Sequence, residues 1–243
     1  MQINTWGYDA TDVIPLKAFL VAQKIGGQAI GAFDLSLAGA GSEGTPETMI
    51  GFAFSLPGVK SPAHGMAWPY LHSHMLAVHD NYRNRGIGKS LKLEQRREAL
   101  ARGIRHMEWT FDPLEIKNAH LNLTKLGTRC RRYAVDFYGH STSKLQAGLP
   151  TDRLFAEWSL DSPAVNAILD GKPATGNEKA KIIERITLPT EISQWKQNAR
   201  EKALELQLKN RALFQSAFSR GLAVIGFEID EAGNGSYLLG AED

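Results

Sequence analysis

The densest run of chemically useful side chains lies between His72 and Gly103, HSHMLAVHDNYRNRGIGKSLKLEQRREALARG. His72 and His74 stand at alternate positions just ahead of the apolar run Met75-Leu76-Ala77-Val78, and imidazole titrates near neutral pH. After the turn His79-Asp80-Asn81-Tyr82 comes Arg83-Asn84-Arg85-Gly86-Ile87-Gly88, followed by Lys89. Glycines just ahead of a helix leave backbone N–H groups uncovered at its positive end, where phosphate oxygens bind. Arg83, Arg85 and Lys89 add positive charge, so a pyrophosphate site is expected. One reading takes Gly86-Ile87-Gly88-Lys89-Ser90 as the tail of a Walker A loop, but Arg83 stands where that loop needs its first glycine. The other reads the same residues as R-x-x-G-x-G. A convincing acidic metal partner at the end of a later apolar strand, which the first reading needs, is missing from the sequence.

The elements that must hold this turn are legible on either side of it. Period-two alternation predicts a strand over 72–78, with His72, His74 and Leu76 on one side. Ile87, Leu91, Gln95 and Ala99 fall at four-residue steps with Leu93 and Leu100 beside them, which predicts a helix to about Arg102, stopped by Gly103. Upstream, a helix capped by Thr11 or Asp12 is expected through Lys24, with Val13, Leu16, Leu20 and Val21 as its buried stripe. Strands are expected over 28–34 and 48–56, separated by a Gly/Ala/Ser-rich hairpin loop over 36–47. The three prolines between Pro57 and Pro69 predict a movable loop. Downstream, strands over 104–111, 129–138 and 152–159 and a short helix over 115–126 are expected. Consecutive strands followed by strands alternating with helices imply a mixed sheet with helices on both faces, an α/β (by some schemes α+β) fold.

Beyond this, residues 162–181 read as a mobile linker. A strand over 182–188, one long helix from Thr190 to Gly221 with Ile192, Trp195, Ala199, Leu206, Leu213 and Ala217 buried, and a hairpin over 223–239 complete a C-terminal extension.

Composition narrows the class. Of 243 residues, 43% are hydrophobic and 22% charged, as in an ordinary globular protein, and a net charge of +2 gives no case for nucleic acid as a partner. The single cysteine, Cys130, rules out an internal disulfide and a cysteine metal cluster; a lone strand cysteine is usually inert packing rather than an acyl carrier. No apolar run approaches the ~20 residues of a membrane span, and the N-terminus lacks a basic-then-apolar signal, so the cytoplasm is the expected compartment and a membrane is not an expected partner.

The R-x-x-G-x-G loop with its strand lead-in resembles the acyl-CoA loop of the GNAT acetyltransferase superfamily. Trp109-Thr110-Phe111-Asp112-Pro113-Leu114, Asn118-Ala119, Lys125-Leu126-Gly127 and Gly148-Leu149-Pro150-Thr151-Asp152-Arg153 are similar to later parts of a bacterial branch of predicted acetyltransferases that shares the C-terminal extension. The resemblance runs from about Trp6 to Ser159. It implies an acyl-CoA-binding domain over 1–160 with a mostly antiparallel mixed sheet, and a packed strand-helix-hairpin extension over 161–243. It implies acetyl-CoA or another acyl-CoA as co-substrate, no metal, a small-molecule amine as acceptor, and a homodimer as a state to test for. The backbone of Leu76, Ala77 and Val78 would lie along the pantetheine, and the loop from Arg83 to Lys89 on the pyrophosphate. Asn118 and Asn122 would supply amide contacts to the cofactor. The base is expected at His74, with His72 second, and Asp112, Asp152 and Arg153 are candidates for the acceptor, the last two as an ion pair. Two departures stand out. The usual first strand has no counterpart before Trp6, and Leu123 occupies the position where many members carry the tyrosine that protonates the departing thiolate. Tyr133 or Tyr138 from the next strand, or else solvent, is the expected substitute.

Overall fold

The computed structural model describes residues 1–37, 44–62, 64–172 and 181–241. The centre of the expected 36–47 loop and much of the expected linker lie outside them. The chain forms two compact units, Met1–Glu108 and Trp109–Asp243.

The first unit contains helices α1 (Gln2–Trp6), α2 (Leu16–Lys24) and α3 (Ile87–Ala101), with strands β1 (Gln28–Phe33), β2 (Met49–Lys60), β3 (Trp68–Val78) and the start of β4 (His106–Phe111). A helix therefore occupies the segment where the resemblance would have a first strand, which leaves β1 at the sheet edge. α2 starts later than expected, with Pro15 and not Thr11 or Asp12 as its cap. The cause is a clamp: Gln2 Oε1 accepts from Ile14 N at 2.9 Å and its Nε2 donates to Ile14 O at 3.0 Å, and Asp9 holds Thr11 in a turn. The expected stripe is also revised. Ala22 and Phe19 face the core, while Leu16, Leu20 and Val21 are exposed. The core of this unit joins Ala22, Phe54 and Met75 to Trp6, Tyr8, Ile14, Phe19 and Phe52, with the Phe19 and Phe54 rings 4.2 Å apart. Burial of a side chain as large as Phe54 or Met75 contributes about 1.5–3 kcal/mol.

The two ends of the expected movable loop over 57–69 are strand. β2 and β3 pair antiparallel as far as Lys60 and Trp68, with Pro57 opposite Leu71 and Pro69 opposite Val59. A second feature of this pair bears on the chemistry. Phe54 pairs with Met75 but Ser55 pairs with Ser73, so β3 carries one extra residue, His74.

The second unit contains the rest of β4, then α4 (Ile116–Ala119), which runs on as a π-helical turn over His120–Lys125. It continues with β5 (Tyr133–Ala134), β6 (Arg153–Ser159), α5 (Pro163–Leu169), β7 (Ile182–Leu188), α6 (Ile192–Asn198), α7 (Arg200–Ser219), β8 (Leu222–Ile229) and β9 (Gly235–Ala241). The strand order β1-β2-β3-β4-β6-β5 makes one mixed, mostly antiparallel sheet, and β7-β9-β8 makes a second, three-stranded antiparallel one.

Three expectations are corrected here. The strand expected over 129–138 shrinks to Tyr133–Ala134, because Asp136 adopts φ 45° and its carboxylate receives Thr151 N at 2.9 Å, turning the chain away. The segment expected as a mobile linker includes α5, started by Ser162 accepting from Val165 N. The single long helix is two, broken at Ala199 with φ −144° and ψ 56°. α7 buries Ala203, Gln207, Asn210, Phe214 and Ala217, while Leu213 is exposed.

Candidate functional site

The glycine turn ahead of α3 has the backbone form its residues predict. A short 3₁₀ turn over Asp80–Tyr82 follows β3, Asn84 adopts φ 61°, and Gly86 begins α3 at φ 84° and ψ −8° with no side chain capping it. The left-handed conformation at Gly86 is the one that a Cβ disfavours. The first N–H groups of α3 have no intrahelical acceptor, so Ile87, Gly88 and Lys89 present donors at the positive end of a fifteen-residue helix. Arg83, Asn84, Arg85 and Gly86 are exposed, and Lys89 is half-buried in the first turn. Arg83 is braced by Asp80 at 2.8 Å and by Val78 O at 3.3 Å, and Arg85 sits over the Tyr82 ring at 5.3 Å. Tyr82 is fixed in turn, donating to Asp34 at 2.7 Å. The donor set suits a pyrophosphate: backbone N–H groups with guanidinium groups around them.

β3 leads into this loop. Leu76, Ala77 and Val78 pair with Ala53, Phe52 and Gly51 of β2. On the other side, β3 pairs parallel with β4 through Leu71–Met107 and His72–Glu108.

His74, the extra residue of β3, lies against Phe54 with ring centroids 6.4 Å apart and against His72 at 6.1 Å. Burial, and secondarily the neighbouring His72, hold its imidazole below the ordinary histidine range. The imidazole is therefore neutral at physiological pH. His72 is placed differently: its Nδ1 lies 3.9 Å from Glu108, which is also paired with Lys60.

Under these histidines lies a polar cluster that sequence reasoning missed. Ser73 and Ser55, on adjacent strands, and Gln28 on β1 face α3 in one row. Lys92 of α3 donates to Ser73 Oγ at 2.7 Å, Ser73 donates to Gln95 Oε1 at 3.0 Å, Gln28 donates to Gln95 O at 2.8 Å, and Ser55 donates to Gln28 Oε1 at 3.0 Å. Lys92 is 3% exposed, and burial drives its ammonium pKa well down. The sequence signal was there: Gln95 stands on the apolar face of the helix, and Ser73 stands at the buried parity of β3 among Leu71, Met75 and Ala77.

In the second unit most of the expected site residues are engaged internally. Asn122 is buried, its Oδ1 accepting from Trp109 Nε1 at 3.3 Å, whereas Asn118 is exposed. Leu123 is buried. Tyr133 donates its hydroxyl to Asp152 at 2.6 Å, and burial followed by this bond pushes its pKa far above the ordinary phenol range. Asp152 does not pair with Arg153. Its carboxylate receives Arg211 of α7 through two bonds, at 2.8 and 3.0 Å, and is fully buried, while Arg153 reaches Gln146 and Asp152 O. Asp112 accepts from Leu114 N at 2.8 Å and from Lys196 at 2.9 Å. Tyr138 stays exposed, its hydroxyl 3.0 Å from Thr110 Oγ1. Burial, then Glu157, pushes the Cys130 thiol far up, which leaves it without nucleophilic thiolate. Lys196 and Arg211 were not anticipated, because the partners they find are ~60–80 residues away in sequence and no local pattern pairs them.

No family model matches the chain, and no curated protein matches it. Among solved structures, Arabidopsis thaliana NAA60 in complex with a bisubstrate analogue is 16% identical, covering 62% of this chain and 95% of that one with a TM-score of 0.42. The NatC complex bound to Gag peptide and CoA is 16% identical, with coverage of 62% and 83% and a TM-score of 0.42. Aminoglycoside 6′-acetyltransferase type Ii is 16% identical, with coverage of 60% and 77% and a TM-score of 0.40. Similarity this loose assigns neither family nor activity. Among the described residues no helix is long and apolar enough to cross a membrane, and no group of His, Cys, Asp or Glu is arranged to hold a metal ion.

Proposed function

We propose that the chain is an acyl-CoA-dependent N-acyltransferase that moves an acetyl group from acetyl-CoA directly to an amine of a small molecule in the cytoplasm. The observation that carries this reading is the sequence of parts in the first unit. A strand with its extra residue at His74 runs into an arginine-flanked glycine turn, where α3 begins with its N–H groups uncovered.

Each part has a role in such a reaction. The loop from Arg83 to Lys89 binds the pyrophosphate through backbone N–H groups, and the backbone of Leu76–Val78 holds the pantetheine and polarises the thioester carbonyl. The amine nitrogen attacks that carbonyl carbon as its proton passes to His74; the C–N bond forms, the C–S bond breaks, and the thiolate takes its proton from solvent. Acceptor contacts from Asp112, Asp152 and Arg153, and a cofactor contact from Asn122, are disfavoured by their internal bonds, which leaves Asn118 as the amide candidate. The division proposed for function is an acyl-CoA-binding region over 1–160 and an extension over 161–243 that buttresses it.

A second reading, an acyl-CoA sensor without turnover, is favoured by one observation: Leu123 is apolar and buried, and the nearby candidate acid, Tyr133, is locked onto Asp152. Calorimetry with acetyl-CoA and, separately, Mg-ATP on wild type and Gly86→Trp tests both. Acetyl-CoA binding that the variant loses by at least tenfold supports a CoA site, and release of CoA in the presence of amines then separates enzyme from sensor. ATP binding without CoA binding overturns both and turns attention to Lys89.

A further inference from the structure

The cluster beneath β3 is expensive to build. Gln28, Ser55, Ser73, Lys92 and Gln95 are all 5% exposed or less, at positions where apolar side chains would pack more cheaply. The cluster is not even fully satisfied, since Gln95 Nε2 is buried without a hydrogen-bond partner. An orphaned donor of this kind is destabilising. A network retained at such a cost needs a reason, and its position supplies one. Ser73 is the residue next to the register shift between β2 and β3, and its neighbours on either side are His72 and His74. An extra residue in a strand is held only if the ladder on each side of it is pinned. On the Met75 side the pin is the apolar core, where Phe54 and Met75 are buried together. On the Ser73 side it is the hydroxyl, which accepts from Lys92 and donates to Gln95, both on α3.

We infer that Lys92, acting through Ser73, is a positioning residue for His74: it fixes the bulge of β3 to α3 so that the His74 imidazole is presented in one orientation. The same helix begins at the phosphate loop, so the anion-binding turn and the base are set by one rigid element. This inference rests on the acyltransferase reading for its catalytic meaning, whereas the coupling of Lys92 to His74 does not.

The test uses the full chain as wild type, Lys92→Met, Ser73→Ala, His74→Ala and the double variant Lys92→Met/His74→Ala. Histidine ring resonances are followed by NMR, with His106 and His120 as internal controls. The expected result is that Lys92→Met and Ser73→Ala each move or broaden the His74 resonances while His106 and His120 stay in place. CoA release from acetyl-CoA, with water as the acceptor, should slow about tenfold in Lys92→Met at unchanged acetyl-CoA affinity. The double variant should be no slower than His74→Ala alone. Unmoved His74 resonances in folded Ser73→Ala overturn the inference, as do losses that simply multiply in the double variant. Should Lys92→Met fail to fold, Ser73→Ala decides, since it removes one hydroxyl and no bulk. Absence of acetyl-CoA binding by wild type would instead sink the acyltransferase reading, and the NMR comparison would still report on the coupling.

Discussion

Two buried lysines, one in each compact unit, show how far an identical side chain can be driven in opposite directions. Lys92 on α3 and Lys196 on α6 are 3% and 5% exposed. Lys92 meets the hydroxyl of Ser73 at 2.7 Å, and burial pushes its pKa well below the usual lysine range. Lys196 meets the carboxylates of Asp112 at 2.9 Å and Glu115 at 2.7 Å, which overcome the burial penalty and raise its pKa. Burial alone does not decide charge; the partner does. The charged cluster is a clamp that ties α6 to the segment after β4. The cluster around Lys92 holds the strand that carries the candidate base.

Removing the lysine should break the charged cluster hardest. Lys196→Met leaves two carboxylates half-sheltered without a counter-ion, and a loss of about 3 kcal/mol is expected from urea unfolding. Asp152→Asn should come next, at about 2 kcal/mol, because it halves the pairing with Arg211 while keeping the shape. Lys92→Met should cost only about 1 kcal/mol, since Ser73 keeps its bond to Gln95. A loss from Lys92→Met larger than that from Lys196→Met would reverse the comparison.

The pH dependence sharpens it further. For Lys92 the folded pKa lies below the unfolded one, so between the two values the unfolded chain binds more protons. Its contribution to stability therefore rises as pH climbs toward ~10.4. For Lys196 the folded pKa lies above the unfolded one, so its contribution is full below ~10.4 and is lost as pH rises past it. Stability differences between wild type and each variant, measured from neutral to alkaline pH, should slope in opposite directions. The smallest effect expected is kinetic. Because His74 is held below the ordinary histidine value, the acidic limb of the pH–rate profile should fall below pH ~6.5, and it should disappear in His74→Ala. An unchanged limb in that variant would remove His74 from the base role.

Much of the first unit was legible from sequence. The helix over 87–101 and the glycine turn before it follow from four-residue periodicity and from glycine's tolerance of positive φ. The placement of His74 was legible only in part. Alternation marked its side of the strand, but the extra residue that sets it apart depends on how Ser55 and Phe54 of β2 register against β3. The exposure of Leu16, Leu20 and Val21 was missed because periodicity shows that a face is apolar and not what covers it. In the second unit less survived. A helix-favouring run from Thr190 to Gly221 conceals the break at Ala199, and the alternating stretch after Arg129 conceals the turn forced by Asp136 and Thr151.

By itself the sequence determined the local conformations: the glycine-started helix, the apolar strand ahead of it, and the chemical types available at the turn. These depend on backbone sterics and short-range periodicity, which neighbouring residues settle among themselves. Only the tertiary structure decided which polar groups are buried together, and hence which lysine sits among hydroxyls and amides and which among carboxylates. Ser73 and Lys92 are brought together by the packing of α3 on the sheet, and Asp112 and Lys196 by the docking of α6. Coulomb and desolvation energies depend on distances through space, and those distances do not exist until the chain has folded.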